Sequence, residues 1–150
     1  MKFKVIRDNI EESEIIYLAK DKSFDTNISV NVDINLLIAY LNIGIDSEDM
    51  GVKCIWGLSP KKNWCEKTLS IPYAEGGRLI LLGEYEPGMS WRIDGGNMWK
   101  SYCDKETGWY CIGNPNVERY DLSVRINKNT IVLLNELNEL KSIFIQLTCR

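Results

Sequence analysis

No histidine occurs among the 150 residues, and that absence removes a large block of chemistry. Imidazole is the usual general base and the usual activator of serine and cysteine nucleophiles, so Ser–His and Cys–His acyl transfer have no candidate here. A tetrahedral zinc site would have to be built from thiolates and carboxylates alone. The five cysteines, Cys54, Cys65, Cys103, Cys111 and Cys149, lack the close pairing of a metal knuckle or a disulfide scaffold. We therefore expect no metal, no cofactor, and reduced thiols in a cytoplasmic protein. Apolar runs are short as well: the longest, Leu36-Leu37-Ile38-Ala39-Tyr40-Leu41, falls far below the roughly 20 residues of a membrane span. Met1 to Asp8 turns acidic before a signal-peptide core can develop. Lysines are dispersed, which argues against direct contact with a phosphate backbone. Gly76-Gly77 and Gly95-Gly96 lack the strand-glycine-helix setting and the Lys-Ser/Thr pair of a phosphate loop, so they read as turns.

What the chain does contain is alternation. Leu122, Val124 and Ile126, then Ile131 and Leu133, then Ile143, Ile145 and Leu147 occupy every second position, with Asn127-Lys128-Asn129 and Asn135 to Glu139 as turns between them. Trp91-Arg92-Ile93 and Met98 to Cys103 flank Asp94-Gly95-Gly96-Asn97, which reads as a tight hairpin. Asp104 to Gly108 reads as a five-residue hairpin loop, placing Cys103 opposite Trp109 and Cys111 opposite Ser101. Upstream, Ile28 to Tyr40 has strand period, although Asp33 is also placed to cap a helix over 34–41. Residues 11–20 suit either a helix start or a strand. Val52 to Leu58 and Arg78 to Leu82 read as buried strands, Thr68 to Ile71 as an edge strand before Pro72, and Gly44 to Gly51 as an acidic loop. The expected architecture is a single mainly β domain over 1–150, an antiparallel sheet or β-sandwich with room for one or two short helices in the N-terminal half; α+β is the alternative.

With no catalytic set to point to, binding is the expected work, and the candidate contacts are acidic and aromatic. Asp46, Glu48 and Asp49 form a local cluster suited to steering a basic partner. Five tryptophans occur. Trp109 sits in the apolar strand Trp109-Tyr110-Cys111-Ile112 and is the expected core member, while Trp64 and Trp91 lie nearest to loops and are the expected exposed anchors.

The segment Glu106-Thr107-Gly108-Trp109-Tyr110-Cys111-Ile112-Gly113, followed by an alternating strand, an Asn-rich turn and Leu140-Lys141-Ser142-Ile143-Phe144-Ile145, resembles the C-terminal sheet of small bacterial immunity proteins. These are cytosolic antitoxins encoded beside polymorphic or contact-dependent toxins. The likeness covers the last third of the chain. It implies a non-enzymatic protein that binds one cognate toxin domain, for instance a basic nuclease, and blocks it. A small β-sheet module for a carbohydrate or other planar ligand, or a subunit of a larger assembly, fits the same composition. Oligomeric state is left open.

Overall fold

The structure is a computed structural model and describes residues 1–148. The chain is mainly β. It opens with β1 (Lys2–Arg7), β2 (Ile15–Leu18), β3 (Ser23–Thr26), β4 (Ile34–Ile38), β5 (Leu41–Asp46) and β6 (Gly51–Leu58). A short β7 (Cys65–Glu66) follows, then β8 (Gly77–Leu82) and β9 (Ser90–Arg92), and the chain finishes with β10 (Ser101–Asp104), β11 (Trp109–Gly113), β12 (Leu122–Arg125), β13 (Thr130–Leu134) and β14 (Leu140–Gln146). Helical structure among the described residues is confined to two three-residue 3-10 turns, Lys61–Asn63 and Gly96–Met98.

The strands make two sheets. The first is eight-stranded, in the order β1-β8-β6-β5-β4-β9, with the β2–β3 hairpin attached to the end of β6; the second is six-stranded, in the order β12-β13-β14-β11-β10-β7. Inward side chains of both form one core: Phe3, Ile34, Leu36, Ile43 and Leu81 from the first meet Ile112, Val124, Val132, Ile143 and Ile145 from the second. A smaller cluster lies on the outer side of the second sheet, where Leu69 and Ile71 of the connector between β7 and β8 cover Cys111, Ile131, Leu133 and Phe144. Covered on both faces, β13 is buried at every residue, which is why it runs apolar without alternation from Ile131 to Leu134. Asp104 pins the connector: its Oδ2 accepts the Leu69 N–H at 3.0 Å while Oδ1 accepts the N–H of Glu106.

The two sheets are also hydrogen-bonded to each other along one side. Asn129, buried in the turn before β13, accepts the Ile15 N–H on its Oδ1 at 2.8 Å and donates from Nδ2 to the carbonyls of Ile15 and Gln146 at 2.7 and 2.8 Å. Backbone bonds continue the seam: Tyr17 N–H to Thr148 O, Glu11 N–H to Ile126 O and Lys128 N–H to Ser13 O.

Several sequence expectations need correction. Neither ambiguous stretch is helical. In 11–20 the alternation wins, with Ile15 and Tyr17 fully buried on one face of β2. In 33–43 Ala39, at φ 52°, turns the chain between β4 and β5, so the apolar positions bury as two strand faces; Asp33 caps no helix but accepts the N–H and hydroxyl of Ser47. The strand predicted from Ile28 begins only at Ile34, because β5 ends one residue past Ile34's partner Ile45 and leaves nothing upstream to pair with on that side. Asp94 to Asn97 closes no hairpin: β9 lies parallel to β4, held by Ile93 N–H to Leu37 O, and the chain then crosses to the other sheet. With β7–β10 also parallel, both sheets are mixed rather than antiparallel. Thr68 to Ile71 is an irregular cover instead of a strand. The acidic loop is shorter than expected, since Gly44 to Asp46 belong to β5. Cys103 pairs with Tyr110 and Tyr102 with Cys111, a register one residue off the expected one, so the two thiols stand on opposite faces. Cys54, Cys65 and Cys111 are free; Cys149 lies outside the described residues.

Candidate binding face

The acidic turn after β5 is built to satisfy itself. Asp46 Oδ1 accepts the Glu48 N–H at 2.9 Å, and Asp49 Oδ1 accepts the Gly51 N–H at 2.9 Å. Asp49 Oδ2 is then held by Arg78 and, at 2.9 Å, by Lys53, whose ammonium also meets Glu11 at 3.1 Å. Partial burial works against the Asp49 charge, but the Lys53 and Gly51 hydrogen bonds and the two cations outweigh it and hold the carboxyl below its ordinary range. Two acids and two bases therefore neutralise one another within the fold. Asp46 and Glu48 remain as the outward charges of the turn.

Neither tryptophan singled out from the sequence projects as a free anchor. Trp64 leaves the Lys61–Asn63 turn and packs among Tyr17, Phe24 and Tyr110, with ring centroids 5.1, 6.1 and 4.9 Å away, while its Nε1 donates to Ser59 Oγ at 2.9 Å. Trp91 meets Tyr85 edge-on at 4.9 Å and rests against the main core opposite Leu36. Trp109 is half-buried on the outer side of the second sheet, and its neighbour Tyr110 is the fully buried residue. The acidic turn precedes β6 and Trp64 follows it, so the eight residues of that strand separate them by about 23 Å at ~3.3 Å per residue. One small contact patch cannot hold both.

Exposure gathers elsewhere. Large apolar side chains stand in solvent at Met98 (76%), Tyr120 (67%), Leu137 (56%) and Val117 (46%). Three open depressions connect them. One of about 610 Å³ runs between Tyr120 and Leu137, one of about 450 Å³ lies beside Met98, Trp99 and Tyr102, and one of about 390 Å³ reaches Val117. The loop after β11 stands among all three. That loop is fastened: Asn114 N–H donates to Lys141 O at 3.1 Å and Asn116 N–H to Asn114 Oδ1 at 2.9 Å. At its far end Lys141 Nζ and Asp121 Oδ2 pair at 2.6 Å with side chains only 9% and 4% exposed, and Glu118 approaches the same ammonium at 3.8 Å. A buried, hydrogen-bonded pair of this kind fixes geometry more than it adds stability. Large apolar groups on a preformed rim are what interface hot spots need.

These four were missed in the sequence because each is a lone apolar residue in a polar turn. The signal, faint but present, was a large side chain inside a run of Gly, Asn and Pro, as in Gly96-Asn97-Met98 and Asn114-Pro115-Asn116-Val117. The buried thiols offer no poised nucleophile: burial pushes Cys54 up to about 11 and Cys111 up to about 12. No cluster of three or more metal-ligating side chains occurs among the described residues. No protein-family model matches the chain, and no curated protein matches it.

Proposed function

We propose that this chain is a cytoplasmic, non-enzymatic immunity protein that neutralises a cognate bacterial toxin domain by direct stoichiometric binding. The C-terminal sequence pattern motivates the reading. The observation that carries it furthest is the rim of Met98, Val117, Tyr120 and Leu137 around a loop fastened by the Lys141–Asp121 pair. Free thiols at Cys54, Cys65 and Cys111 suit a reducing compartment. A basic toxin face, such as a nuclease presents, would be met by Asp46 and Glu48, with Asp49 reserved for Lys53 and Arg78.

The test is protection. Cells expressing the toxin domain encoded beside this chain should survive when the chain is co-expressed, and the two should form a one-to-one complex. Tyr120→Glu with Leu137→Glu should weaken the complex by more than about thirtyfold, as expected for an anchor contributing ~2 kcal/mol or more. Asp46→Lys with Glu48→Lys should chiefly slow association. Absence of protection by a correctly folded chain ends the proposal. A small-ligand module is the second reading, favoured by Trp99 and Tyr102 lining one depression; saturable binding of a monosaccharide there, without any protein complex, would select it.

A further inference from the structure

Two of the depressions, about 450 and 390 Å³, share Lys67, Pro115 and Asn116. They make one groove between the connector that follows β7 and the loop that follows β11. Gly113 keeps its floor open: at φ 104°, a Cβ there would lie 2.4 Å from the Lys141 carbonyl oxygen and 3.0 Å from the Trp99 ring. The walls are tied to the sheet by Gly113 N–H to Lys100 O at 3.0 Å, Asn114 N–H to Lys141 O at 3.1 Å and Lys67 N–H to Cys103 O at 3.0 Å. The groove is therefore a fixed feature and costs little ordering to fill.

Charge selects the occupant. The chain carries a net charge of -3, yet every ionised side chain lining this groove is a lysine, and no Asp or Glu of the described residues lines it. Lys141 is neutralised by Asp121 and Glu118. Lys67 and Lys100 are exposed and take part in none of the ion pairs among the described residues. Between them lie the half-buried Trp99 and Tyr102. We infer that the groove seats an extended acidic segment of the partner protein, with an apolar side chain against Trp99 and Tyr102 and flanking carboxylates on Lys67 and Lys100. Two free cations are too few for a phosphate backbone approaching an acidic protein, which favours a polypeptide over a nucleic acid.

The inference rests on the chain being a protein binder, but its test uses no toxin. The ¹⁵N-labelled chain is titrated with acetyl-Glu-Leu-Glu-Leu-Glu-amide, with the Lys-Leu counterpart, and with a thymidine decanucleotide. The acidic peptide should shift the Trp99 indole and Gly113 amide signals saturably. Lys67→Glu with Lys100→Glu, melting like the parent, should weaken that binding at least about tenfold and admit the basic peptide instead. Should the double reversal unfold the chain, Lys67→Gln with Lys100→Gln replaces it and should still weaken binding severalfold. Absence of a saturable shift by roughly 5 mM peptide, equal response to the basic peptide, tighter binding of the oligonucleotide, or indifference to the folded lysine variants would each overturn the assignment. Failed protection with intact peptide binding would remove the antitoxin reading and leave the groove. The reverse result would remove the groove alone.

Discussion

Replacing Asn129 by alanine is the sharpest probe of how the two sheets are held together. The side chain supplies the partners of the Ile15 N–H and C=O, both buried, and of the partly buried Gln146 C=O. Truncation strands the two Ile15 groups where water does not reach, at about 1–3 kcal/mol each, so a loss of about 4 kcal/mol is expected. That is a large share of a typical total of about 5–15 kcal/mol. In urea, with a slope of about 2.5 kcal/mol/M, the unfolding midpoint should fall by about 1.5 M with the slope unchanged. Asn129→Asp separates donor from acceptor: it keeps an oxygen for the Ile15 N–H but turns a second oxygen toward two carbonyls. Those carbonyls disfavour the charged form, so the aspartate binds its proton more tightly folded than unfolded, and the variant's deficit should shrink as pH falls below about 5. A midpoint shift under about 0.3 M for the alanine variant at constant slope would refute the idea that this seam carries stability.

Gly113→Ala should lower the melting temperature by about 6–12 °C, from ~3 kcal/mol of backbone strain and collision with the Lys141 carbonyl; Gly95→Ala, also at positive φ but in open space, should cost distinctly less, and equal losses would contradict the close approach. Hydrogen bonds from Ser47 depress the Asp33 carboxyl, the Leu69 N–H depresses Asp104, and Lys53 with its neighbours overrides burial at Asp49. Depressed carboxylates stabilise above their unfolded pKa of about 3.9 and lose that contribution as pH drops through the lower folded value. Melting temperature should therefore be flat between about pH 5.5 and 7.5, where the chain has no histidine to titrate, and fall below about pH 4, less steeply in Asp104→Asn; a steep loss near pH 6.5 would refute this. Thiol labelling of the native protein should reach exposed Cys65 first and spare Cys54 and Cys111 until unfolding, which peptide mapping by mass resolves; labelling Cys54 or Cys111 as fast as Cys65 would contradict their burial.

The parts of the fold legible in the sequence are those joined by short turns. Leu122-Val124-Ile126, Ile131-Leu133 and Ile143-Ile145 became the β12–β13–β14 meander because each strand pairs with its successor, although Ile131 and Leu133 bury on the outer side while Val124, Ile126, Ile143 and Ile145 face the main core. The parallel pairs β4–β9 and β7–β10 were illegible, since partners 55 and 37 residues apart leave no local mark of their pairing. The surroundings of the candidate site residues were illegible for the same reason. Nothing near Asp49 in the sequence announces that Arg78 will balance it or that Glu11 will share its Lys53, and Trp64 looks like a loop residue until Tyr17, Phe24 and Tyr110 arrive from three separate segments. The exposed rim around Tyr120 and Leu137 drew no attention because isolated apolar residues carry no period.

The seam through Asn129 also sets a timetable. Ile15 and Tyr17 take partners from Asn129 and Thr148, more than 110 residues downstream, and the Phe3 N–H donates to the Asn138 carbonyl. At about 5–20 residues per second, a ribosome that has made Tyr17 needs roughly 7 to 26 s more to reach Thr148. Throughout that interval the Tyr17 N–H lacks its Thr148 partner. The earliest-made strands are thus among the last to be locked, and the chain must carry their apolar faces unsatisfied until synthesis is nearly over.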